Sequence, residues 1–93
     1  MSTDSSTQSI TTTAAKVGTP SAKRTALIVY VPTTAANPVF FGGSDVTTSN
    51  GFPVAAGERV VFTNDGPNGI AASQDWYAIV GTTSVTVQIT EAY

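Results

Sequence analysis

The chain has 93 residues, room for one small domain, and it contains neither cysteine nor histidine, which removes disulfides and the usual zinc ligands as reinforcement. Charged residues make up 11% of it, about half the usual share, and the net charge of −2 gives no electrostatic case for nucleic acid or a membrane surface. A small chain with so few charges and no internal staples draws its remaining support from self-association or from docking onto a larger body.

Residues 1–23 form a zone of their own. Serine and threonine dominate it, and beyond Met1 only Ile10 and Val17 are sizeable apolar residues. So little apolar surface cannot offset the entropy of ordering, so the stretch reads as an extended N-terminal arm that other chains would hold in place, the alternative being a passive flexible tail. Thr12, in a run of three threonines, favours extended backbone. Ile10 and Val17 would fill shallow pockets on a partner, and Lys16 and Lys23 would face its acids. The N-terminus lacks the basic start and apolar core of a signal peptide, which points to folding in the cytoplasm where the chain is made.

From residue 24 the pattern is β. Residues 24–31 are apolar on both faces, as in a central strand, and Pro32 ends them. The run 26–31 is far shorter than the roughly 20 apolar residues of a spanning helix. A short strand at 38–41 stops at Gly42-Gly43, and Asn50-Gly51 marks a tight turn. Residues 52–54 follow, then a turn through Gly57-Glu58. Residues 59–63 place Val60 and Phe62 on one face and Val61 on the other. A polar loop starts at Asn64. Residues 76–80 and 84–91 are the last strands, the latter alternating Val85, Val87 and Ile89 inward with Thr86, Gln88 and Thr90 outward. No helical period persists. The rhythm predicts an all-β fold, a small antiparallel β-sandwich of jelly-roll or Ig-like type over residues 24–93.

Chemistry is sparse. Without histidine or cysteine the commonest general base and the best nucleophile are missing. The acids Asp4, Asp45, Glu58, Asp65, Asp75 and Glu91 stand singly. No enzymatic activity, metal or cofactor is expected. Gly42-Gly43-Ser44-Asp45 has no lysine or helix after it to make a phosphate loop. It reads as a turn with positive-φ glycines and hydrogen bonds from Ser44 and Asp45. The loop at Asn64, Asp65 and Asn68 offers oxygens, but too few carboxylates for tight calcium binding. Trp76 and Tyr77 are adjacent on a strand and face opposite ways, one toward the core and one toward a surface.

The run FFGGSDVTTSNGFPVAAGE at residues 40–58, with DWYAIV at 75–80 and VTVQI at 85–89, resembles a recurring small virion protein of tailed bacteriophages. The resemblance spans residues 24–91 and rests on the order and spacing of these pieces. The longer stretch 63–74 and the Ser/Thr-rich arm depart from it. It implies a β-sandwich virion component without enzymatic activity or cofactor, most simply a capsid decoration (cement) protein on the capsid exterior. Such a protein would contact the major capsid protein and neighbouring copies of itself as a homo-oligomer. Phe40, Phe41, Phe52, Val54, Trp76 and Tyr77 would form its core or contacts. A tail or neck structural protein is one alternative. The other is a carbohydrate- or host-binding module using Trp76, Tyr77 and the polar loop.

Overall fold

A computed structural model describes residues 3–18, 24–63 and 74–93. Among these residues eight strands form two four-stranded antiparallel sheets. In chain order they are β1 (Thr3–Ile10), β2 (Ala15–Lys16), β3 (Ala26–Tyr30), β4 (Val39–Gly42), β5 (Phe52–Val54), β6 (Arg59–Thr63), β7 (Tyr77–Ile79) and β8 (Val85–Ala92). One sheet has the order β1-β8-β3-β6 and the other β2-β7-β4-β5. The chain passes back and forth between the sheets, and its first strand pairs with its last. That is the double Greek key of a jelly roll, and of the two sandwich types expected it excludes the Ig arrangement.

Alternation explains most of the strands. β8 buries Val85, Val87 and Ile89 and exposes Thr86 and Gln88. β3 buries Leu27 and Val29 while Ile28 and Tyr30 are half-buried on the outer face, as befits a strand paired on both sides. β4 contributes Val39 and Phe41, and β5 contributes Val54 opposite Val39. Together with Ala78 and Val80 these side chains form the layer between the sheets. Val60, Phe62 and Trp76 pack against it, and Val61 points out, as the alternation of β6 requires.

The expected division into an arm at 1–23 and a domain from 24 does not hold for residues 3–18. β1 pairs with β8 over all eight of its residues, from Thr3 opposite Ala92 to Ile10 opposite Val85. β2 pairs with β7, and the Val17 amide donates to the Trp76 carbonyl at 2.8 Å. Ile10 and Val17 are both completely buried in the core. The Cα radius of gyration, 12.4 Å, matches the value of about 12 Å for a compact chain of this size. Polar composition misleads here because an edge strand takes most of its support from the backbone ladder. This ladder is contributed by residues some eighty positions away along the chain.

Candidate interaction surfaces

Residues 43–51 fold over the outer side of the second sheet. Val46 is buried, and the Gly51 backbone lies so close to Phe40 that an added Cβ would sit 2.7 Å from the Phe40 Cβ. Gly42 is similarly crowded, since a Cβ there would lie 2.9 Å from the Val46 side chain. Among the described residues only Gly18 and Gly57 have positive φ, so neither Gly42 nor Gly43 makes a left-handed turn, and Gly42 serves close approach. The hydrogen bonds that fix this loop also differ from those expected of Ser44 and Asp45. Asn50 Oδ1 accepts from the Thr47 amide at 2.7 Å, and Thr47 Oγ1 accepts from the amides of Ser49 and Asn50 at 3.2 and 3.3 Å. The GGSDVTTSNG run is therefore a cover for Phe40.

At one end of the sandwich lies a buried ionic node. Arg24 Nη1 donates to Glu91 Oε2 at 2.8 Å, and the two side chains are 0% and 5% exposed. Arg24 Nη2 reaches the Gln74 carbonyl at 2.9 Å, and the Tyr93 hydroxyl donates to Glu91 Oε2 at 3.3 Å. Gly18 closes over the carboxylate, since a Cβ there would lie 2.7 Å from Glu91 Oε2. Burial, then the adjacent Glu91 charge and its hydrogen bond, raise the Tyr93 pKa above the ordinary tyrosine value. The available signal was parity: Glu91 continues the inward series of Val85, Val87 and Ile89, so it needed a cation beside it.

The side chains expected to reach a partner divide. Ile10 and Val17 fill this chain's own core, and the pockets they were expected to occupy elsewhere are not needed. Lys16 is exposed and faces its own Asp75 at 3.5 Å. Thr12 is exposed in the link between β1 and β2. Lys23 lies outside the described residues, as does the loop at Asn64, Asp65 and Asn68. Phe41 and Val54 belong to the core, and Phe40 is half-buried on the outer side. Phe52 is 59% exposed at the edge.

Trp76 and Tyr77 are both half-buried. Trp76 turns to the core and stacks on Phe62, with centroids 4.0 Å apart and planes 20° from parallel, while Phe62 in turn tilts against Phe41. One ring face of Trp76 is thus already covered. The shallow groove beside it is lined by Gly42, Gly43, Gln74 and Asp75.

The remaining open side is that of β5 and β6, the outermost strands of their sheets, joined by the turn at residues 55–58. Gly57 turns there with φ of 81°, and Glu58 Oε1 accepts from the Ala55 amide at 3.2 Å. Phe52, Pro53, Val54, Gly57, Glu58 and Arg59 line an open groove along this side. Phe52 of β5 and Val61 of β6 are exposed large apolar side chains, at 59% and 49%.

Fold and surfaces together define a small jelly-roll sandwich domain with a closed core and apolar side chains exposed along one open side. Comparison with models of protein families, with curated proteins and with solved structures gives no match.

Proposed function

We propose that this chain is a structural protein of a tailed-bacteriophage virion, acting as a capsid decoration protein that bridges and stabilises major capsid subunits. The observation that carries the reading is the strand order, two Greek-key sheets of four strands, an architecture that viral capsid domains share with lectins and cupins. Topology alone is an analogy at the level of fold. The run at residues 40–58 adds to it, because the segment that resembles the virion proteins is also the segment that covers Phe40 and leads into the open side.

The physical role is to add buried interface between shell subunits against the outward pressure of packaged DNA. The function requires no catalytic group or cofactor. A net charge of −2 suits a position outside the shell, away from the nucleic acid. Quantifying this protein against the major capsid protein in purified particles tests the reading. Decoration predicts comparable copy numbers. A few copies per particle would move the assignment to the tail or neck, and absence from the particle would overturn it.

A further inference from the structure

An edge strand exposes unpaired backbone groups, and proteins ordinarily blunt such edges with proline, inward charges or short length. Among the described residues, three of the four sheet edges are blunted. β2 is two residues long, and β5 carries Pro53 at its centre. β1 is polar up to Ile10 at its end and sets Asp4 and Ser6 on the side that Gln8 and Ile10 share. β6, reading RVVFT, has neither a proline nor an inward charge, and its one charged residue, Arg59, stands at its end.

Its backbone is also oriented for pairing. The Val31 amide donates to the Glu58 carbonyl at 2.9 Å, and the same register sets Val29 opposite Val60 and Leu27 opposite Phe62. Hydrogen-bonded pairs alternate along an antiparallel ladder. Val60 and Phe62 therefore direct their backbone groups to β3, while Arg59 and Val61 direct theirs away from it. Val61 projects its side chain into solvent at the middle of this strand, and Phe52 does so at the neighbouring edge.

We propose that the β5–β6 side is a homotypic interface, in which β6 pairs antiparallel with β6 of a second copy around a two-fold axis at Val61. In that register Val61 lies opposite the partner's Val61, and Arg59 lies opposite the partner's Thr63. The two guanidiniums then stand at opposite ends of the paired segment. A register centred on Arg59 would set them face to face, which is unfavourable. The side-chain pattern is self-complementary, with an apolar centre and each cation beside a neutral residue, and an isologous contact requires this. Phe52 and Pro53 flank the pairing and extend its apolar area. Even so, one short strand pair is small beside the roughly 1,200 Å² of a stable complex. Association is therefore weak in dilute solution and is favoured where copies are held close together.

This inference goes beyond the proposed function and does not rest on attachment to a virion. Purified protein is followed by sedimentation equilibrium up to about 1 mM, the range of weak association. The chain has no native cysteine, so Val61→Cys and Thr7→Cys each supply a single thiol, on opposite edges of one sheet. A short bis-maleimide linker should join the Val61→Cys copies far more efficiently than the Thr7→Cys copies. Val61→Lys, which sets two ammonium groups opposite each other, should weaken the dimer about fivefold. Val61→Thr, still β-branched, should keep it, and circular dichroism verifies that each variant is folded. A monomer at every concentration, or equal cross-linking through Thr7→Cys, would overturn the proposal. If dimerisation holds while the protein is missing from particles, the virion reading fails and the interface stands.

Discussion

Glu91 carries a carboxylate into the interior, and Arg24 and Tyr93 receive it there. Removing only the cation leaves a buried charge without its counter-ion, so Arg24→Met should cost about 3–5 kcal/mol. The double variant Arg24→Met with Glu91→Leu should recover much of that loss, because it removes the stranded charge as well. Urea unfolding of both variants decides the point, and equal losses would show that the two groups are not coupled. Tyr93 adds a dependence on pH. Its pKa in the folded chain is raised above the ordinary 10.0, so the neutral phenol favours the fold. That contribution is complete below the unfolded value and is lost as pH rises through the folded one. Melting temperatures of the native chain should therefore fall more steeply above about pH 10 than those of Tyr93→Phe. Parallel curves for the two proteins would exclude a role for this hydroxyl.

The elements differ in how plainly the sequence announces them. β6 and β8 follow from alternation, β3 from its apolar run, and the turn at Gly57-Glu58 from its residues, because each signal is contained within a few positions. β1 is invisible to such a window. Its positions on the inner side are Asp4, Ser6, Gln8 and Ile10, and only the last is apolar and buried. Distant contacts hold it: the ladder to β8, and Gln8, whose amide donates to the Lys16 carbonyl at 2.6 Å and accepts from the Gly18 amide at 2.9 Å. The surfaces were legible only in part. Phe52 and Val54 share a strand and look alike in sequence, yet one is exposed and the other buried, since the edge decides between them. This placement makes β1 indispensable. Deleting residues 1–10 should unfold the domain, and Ile10→Ala alone should cost about 2–5 kcal/mol. A truncated chain with the native circular dichroism spectrum and melting temperature would restore the picture of a detachable arm.

At the scale of the whole molecule, the pairing of the first strand with the last governs how the fold assembles. The sheet β1-β8-β3-β6 cannot be completed until the C-terminal strand is in place, and both of its central strands require partners far along the chain. Closing such large loops precedes the contacts that reward it, which places folding in the milliseconds-to-seconds range of all-β domains. The same interlocking makes partial structures poor. Without β1, β8 loses one neighbour, and without β2 the core loses the cover of Val17 and the anchor of the Trp76 carbonyl. Unfolding should therefore be a single cooperative transition. The chain has one tryptophan, and its stack on Phe62 joins β6 of one sheet to the segment preceding β7 of the other. Trp76 fluorescence consequently reports the packing between sheets, whereas far-ultraviolet circular dichroism reports all the strands together. The two signals should change at the same urea concentration and yield the same free energy. If the dichroism began to fall first, with Trp76 still in its native environment, β1 and β2 would be separating from a sandwich that survives without them.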